Sequence, residues 1–157
     1  MRTFVLAIAT GLGLGLLPKA PGTFGTLLGI PLVWLLSAQP WWLYLVSLVA
    51  LIALSSWSAS AATLIWQEED CQKIVIDEVA GYATTMFLAP FIWQYVLTGF
   101  VFFRLFDITK PWPASYFDRN SHSGFGVTMD DVVAGIYACG ATHLCAYLSA
   151  QAGYPWL

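Results

Sequence analysis

The chain has 157 residues, of which 59% are hydrophobic and 10% charged, with a mean hydropathy of +0.71. A soluble domain carries roughly a quarter charged residues, so this composition excludes a disordered chain, a basic nucleic-acid binder and a cytosolic enzyme. The net charge is −3, and the six basic and nine acidic residues gather in three places: Arg2 with Lys19, residues 68–78, and residues 104–131.

The first apolar run, 4–17, is shorter than the roughly 20 residues a spanning helix needs, and Gly11, Gly13 and Gly15 interrupt it. It reads as a re-entrant or interfacial segment. The next run, 24–66, is about twice the length of one span. It breaks at Ser37-Ala38-Gln39-Pro40, which predicts a helical hairpin. The third, 79–103, is broken at Ala89-Pro90 and is either one kinked span or a second hairpin. The last, 132–150, has the length of a single span.

The predicted fold is therefore all-α: a polytopic membrane bundle of four or five spans, forming a single domain over 1–157. With both broken runs as hairpins, every Lys and Arg falls at one membrane face, and the positive-inside rule makes that face cytoplasmic. The three cysteines form no CxxC, which argues against a disulfide framework and a zinc site; Cys139 and Cys145 read as buried, inert thiols. His143, deep in the last run, reads as a partner for a neighbouring helix.

Three acidic groups carry the chemistry: Asp77-Glu78, Asp107 and Asp130-Asp131. Each pair is placed at the start of a helix, where capping is the competing explanation: Asp77 as N-cap, and Thr128-Met129-Asp130-Asp131 as a capping-box variant. The two segments share the pattern Asp-x-Val-Ala-Gly, which sets Gly81 and Gly135 one turn beyond an aspartate. Two helices packed through those glycines would bring the acids together. Crowded carboxylates repel unless a cation neutralises them, and Mg²⁺ suits carboxylates that also meet phosphate.

Arg104, Asp107 and Lys110 recur at a spacing of three on one helical face. They form either a surface ion-pair ladder or a phosphate clamp, with Asp107 free to bind metal, orient Arg104 or attack phosphorus. The loop around Gly124-Phe125-Gly126 offers backbone amides to an anion, and His122 is a candidate proton donor to a leaving alkoxide. Near the N-terminus, Thr23 and Thr26 are expected to cap a helix, with an anion nest beside Lys19 as the functional version. No GxSxG elbow, HExxH or phosphatase-type cysteine is present, which leaves metal-assisted phosphoryl transfer.

Several ordered motifs then converge. They are Pro18-Lys19-Ala20-Pro21-Gly22-Thr23-Phe24-Gly25-Thr26, Ile76-Asp77-Glu78 with Gly81, and Phe103-Arg104-Leu105-Phe106-Asp107 running into Lys110-Pro111-Trp112-Pro113. Phe117-Asp118-Arg119-Asn120, Gly124-Phe125-Gly126-Val127 and Asp130-Asp131-Val132-Val133-Ala134-Gly135 follow. Together they resemble the phosphatidylglycerophosphatase A family. Ser123 stands where the family usually has glycine, and Thr128 where it is usually apolar.

The resemblance implies Mg²⁺-dependent removal of the terminal phosphate of phosphatidylglycerophosphate at the bacterial inner membrane, with no nucleic-acid partner. It maps acidic roles onto Asp77, Glu78, Asp107, Asp130 and Asp131, and basic ones onto Lys19, Arg104, Lys110 and Arg119. The metal ligands expected are Asp77, Glu78, Asp130 and Asp131. Lys19, Thr23, Arg104, Lys110 and Arg119 are expected to bind substrate, while Asp107, Asp131 and His122 are the expected catalytic groups. Water, or Asp107, attacks phosphorus in line. The alternatives are a phosphatase of another prenyl or glycerolipid phosphate, and a small non-catalytic membrane subunit or ion-binding channel component.

Overall fold

The computed structural model describes residues 2–68, 71–120 and 123–156, with residues 118–120 described by backbone only. Seven α-helices and no strand are found among them: α1 Arg2–Ala9, α2 Pro21–Ser37, α3 Trp41–Trp66, α4 Ile76–Thr85, α5 Trp93–Thr109, α6 Ala114–Asn120 and α7 Gly124–Gln151. The chain is all-helical, as its sequence predicts. Helix α7 is the central element and packs against α3, α4, α5 and α6.

The break at Ser37 to Pro40 falls where expected, since Pro40 sets the backbone that precedes α3. The break in 79–103 is wider than its proline alone suggests: α4 ends at Thr85 and α5 begins at Trp93. Ten residues rise only about 15 Å, half the thickness of a bilayer core, so α4 is a half-length helix. Its last carbonyls, which lack partners within the helix, are met by side chains of neighbouring helices. The Tyr44 hydroxyl donates to the Ala83 carbonyl at 2.8 Å, and Cys139 Sγ and His143 Nε2 donate to the Phe87 carbonyl at 3.6 and 3.3 Å. His143 is thus a structural partner, as anticipated. Cys139 and Cys145 are half-buried rather than buried, and all three cysteines are free.

Small residues let the helices approach closely. A Cβ on Gly135 would lie 2.3 Å from the Gly81 carbonyl oxygen, and one on Gly81 would lie 2.8 Å from the Asp131 carbonyl oxygen. The echoing glycines are therefore the crossing point of α4 and α7. A second small-residue face, Gly22, Gly25 and Gly29, lies on α2 against the segment from Val75 to Tyr82; a Cβ on Gly25 would meet the Val75 carbonyl at 2.8 Å.

Two expected helix starts are corrected. Helix α7 opens at Gly124, because the Ser123 hydroxyl accepts the Gly126 N–H at 3.3 Å and caps it there. Asp130 and Asp131 consequently sit inside the helix and cap nothing, while Thr128 is fully buried and shares a 2.8 Å hydrogen bond with Ser55 of α3. Gly124 is pressed against the α3 backbone at Ser60, so it packs a helix instead of cradling an anion. Helix α4 likewise has Val75 as its N-cap, with Asp77 in the first turn.

Helices α3 and α7 are each long and apolar enough to cross a membrane. Trp34, Leu35, Val46, Val49, Val101, Ile136, Leu144 and Leu148 all point outward and are more than half exposed. An apolar surface of this kind suits a protein associated with a membrane.

Candidate functional site

The acidic ends converge because α4 and α7 cross at Gly81 and Gly135, one turn from Asp77 and Asp131 respectively. Carboxylate oxygens of Asp77, Glu78 and Asp131 all lie within 4.8 Å of one another. Asp77 and Asp131 are 6% and 4% exposed. Burial, reinforced by the charges of Glu78 and Asp130, holds the Asp77 carboxyl well above the usual carboxylate range. Burial also pushes Glu78 up to about 8; Asp131 and Asp107 add to the effect, and Asp77 and Arg104 oppose it.

These three carboxylates form a donor set suited to a hard divalent cation: oxygen-only, anionic and grouped on the scale of one ion. Among the described residues Glu78 Oε2 has no hydrogen-bond partner, which leaves a buried, unsatisfied oxygen on one member of the group. A cation would relieve both the mutual repulsion and that unpaired oxygen.

The basic residues complete the opposite wall. Arg104 pairs through Nη1 with Asp107 Oδ2 near the end of α5. Lys110, the left-handed C-cap of α5, reaches across to Asp130 on α7 at 2.7 Å. The expected ladder on one helix is therefore only half formed, since its third member bridges two helices. Asp130 is thereby turned to Lys110 and stands beside the group of three.

A cleft of about 240 Å³ joins these groups, lined by Asp77, Glu78, Arg104, Asp107, Lys110, Asp130 and Asp131. From the N-terminal end of α2 it is lined by Ala20, Pro21 and Gly22; Lys19 is exposed and Thr23 half-buried, outside that lining. Neither threonine caps α2. Its N-cap is Ala20, which is left-handed, and the Thr26 hydroxyl donates to the Gly22 carbonyl within the helix. His122 and the Arg119 side chain lie outside the described residues.

The sequence reading gave no role to Cys71 and Gln72 and took Gly22 only as part of the 18–26 motif, and all three line the same cleft. A Cβ on Gly22 would stand 2.2 Å from Glu78 Oε1 and 3.1 Å from Arg104 Nη1. The signal was present as glycines spaced three and four apart at 22, 25 and 29. Cys71 and Gln72 carry no comparable pattern.

A family model described as PgpA: Phosphatidylglycerophosphatase A matches residues 7–146. The phosphatidylglycerophosphatase A of Escherichia coli (strain K12) is 38% identical over 141 residues, covering 89% of this chain and 82% of that protein. The phosphatidylglycerophosphatase A of Haemophilus influenzae is 39% identical over 136 residues, covering 83% and 82%. A Bacteroides thetaiotaomicron protein named provisionally as a phosphatidylinositol-3-phosphatase is 37% identical over 141 residues, covering 83% and 86%. No solved structure matches the chain. With the family model spanning most of its length and two relatives of that name at 38% and 39% identity, the chain belongs to the phosphatidylglycerophosphatase A family of phosphatases.

Proposed function

We propose that this chain is a single-domain, multi-pass protein of the bacterial inner membrane that hydrolyses the terminal phosphate of phosphatidylglycerophosphate at the cytoplasmic face. Phosphatidylglycerol and inorganic phosphate are the products. The observation that carries this reading is the meeting of Asp77, Glu78 and Asp131 with Arg104 and Lys110 around one cleft, in a chain whose relatives bear that activity in their names. The single-sided distribution of Lys and Arg supports the cytoplasmic orientation.

Asp77, Glu78 and Asp131 would hold Mg²⁺, with Asp130 beside them. When bound, the ion neutralises phosphate charge and increases the acidity of water in the site. Arg104 offers its planar fork to two phosphate oxygens, and Lys110 adds a point charge. Asp107 holds the Arg104 fork in position and lies where it can orient an attacking water. Attack by water forms the new P–O bond in line with the breaking bond to the glycerol oxygen. That oxygen takes a proton from His122, and Arg119 and Lys19 are the further basic residues assigned to the phosphate, with Thr23 in the first turn of α2.

The test is phosphate release from phosphatidylglycerophosphate by the purified protein in detergent with Mg²⁺. Release equal to that of a protein-free control, or full activity in Asp131→Asn or Asp77→Asn, overturns the assignment. The name of the Bacteroides relative favours a second reading, action on another lipid phosphate. A panel of phosphatidylglycerophosphate, phosphatidylinositol 3-phosphate and phosphatidate separates the two by relative kcat/KM.

A further inference from the structure

The acidic cleft does not end at its carboxylates. It shares Pro21, Cys71 and Gln72 with a second cavity of about 440 Å³, walled on one side by residues 15–18 and on the other by Glu68, Gln72 and Lys73. That cavity shares Leu16 with a third, an apolar groove of about 450 Å³ walled by Leu6, Ala7, Leu12 and Trp66. The three form a track graded from carboxylates and guanidinium, through Gln72 and Lys73, to hydrocarbon.

Two features fix the middle of this track. A Cβ on Gly15 would lie 2.1 Å from the Lys73 carbonyl oxygen, so the loop seats directly on the backbone that carries the lysine. Lys73 Nζ stands 5.3 Å over the Trp66 ring, which puts the ammonium at the boundary between the apolar groove and the polar cavity. At rest it pairs with Glu68 at 3.3 Å, both side chains being about half exposed. Such a pair is weak and screened, so an incoming anion displaces it at little cost.

The track matches one substrate chemistry. A diacyl lipid with a terminal phosphomonoester, a three-carbon spacer and an internal phosphodiester presents two anions of unequal charge and then hydrocarbon, in that order. Resting on the phosphatase reading above, we infer that Lys73 recognises the internal phosphodiester of the substrate. The terminal phosphate then lies by Arg104 and Lys110, and an acyl chain runs along Leu12, Leu16 and Trp66. Phosphatidate has a monoester and acyl chains but no diester, and cannot fill the three stations together. Lys73 is on this view a specificity residue, remote from the bond that breaks.

The experiment compares phosphatidylglycerophosphate with phosphatidate in mixed micelles, using the full chain, Lys73→Gln and Lys73→Arg. The expected result is a loss of about tenfold in the kcat/KM ratio of the first lipid over the second for Lys73→Gln, the size of one charge-assisted contact. The loss should appear in KM rather than kcat. Lys73→Arg keeps the ratio near that of the parent. An unchanged ratio in Lys73→Gln, or an equal fall on both lipids, overturns the inference and leaves the phosphatase reading standing. A parent chain that hydrolyses neither lipid overturns both.

Discussion

Asp77 and Asp131 offer oxygens to the same point from two different helices, so replacing either with Asn keeps the shape and removes an anionic ligand. Each change is expected to lower kcat/KM by about a hundredfold or more, with Mg²⁺ affinity falling in parallel, as activity against metal concentration would show. Lys110→Met leaves Asp130, itself 5% exposed, without its ion-pair partner; a loss of activity and about 3 kcal/mol or more of stability should follow. Glu78 sets a pH dependence. Its folded-state value of about 8 exceeds the ordinary 4.5, so between those limits the metal-free folded chain binds more protons than the unfolded one. Its stability therefore falls as pH rises through that window. A cation must displace that proton, and the one held by Asp77, whose carboxyl is raised as well, so Mg²⁺ affinity should climb as pH rises. Calorimetry in two buffers of different ionisation heat would show the released proton. At this scale the sequence was legible where chemistry imposes charge: acidic pairs in an apolar chain stand out. Gln72 and Cys71 did not stand out, because a residue that walls a cleft through its position in space leaves no pattern in the chain.

Among the helices, the α4 and α7 crossing was readable from Asp-x-Val-Ala-Gly because close packing demands small residues at one place on both partners. The α2 contact was less visible: its glycines face the backbone before α4, so only one side of the contact carries the pattern. These contacts separate glycines that must stay from one that need not. Gly135→Ala and Gly25→Ala place a methyl against a carbonyl oxygen at 2.3 and 2.8 Å, and are expected to destabilise by about 1–3 kcal/mol. Gly140, exposed on α7 with nothing within 4 Å of an added Cβ, should tolerate Ala and gain up to about 1 kcal/mol from helix propensity. Unfolding in mixed detergent would rank the three. The start of α7 was misread because an acidic pair ahead of an apolar run looks like a cap. The actual cap is Ser123, and the polar first turns are stabilised by packing on α3, a long-range contact that no local pattern announces.

At the level of the molecule, the hairpin of α2 and α3 followed from length and one proline, whereas the half-length α4 did not, since hydropathy is the same for a helix that crosses and one that stops midway. The proposed arrangement makes a prediction of its own. Helix α7 runs 28 residues, about 42 Å, from the cleft to Gln151, so a reporter fused after the last residue should report the compartment opposite the acidic site. An alkaline phosphatase fusion active only outside the cytoplasm would check it, and an inactive one would reverse the orientation. The tip of α4 has a consequence of its own. Tyr44, Cys139 and His143 fasten the carbonyls of Ala83 and Phe87 from two neighbouring helices, and α4 is stiff between that anchorage and Glu78. In the proposed arrangement, the depth at which lipid headgroups are drawn in is thus set from the far end of α4, by side chains outside the lining of the acidic cleft. Adapting such a protein to a thicker or thinner bilayer is a matter of resetting that anchorage, while the acids themselves stay as they are.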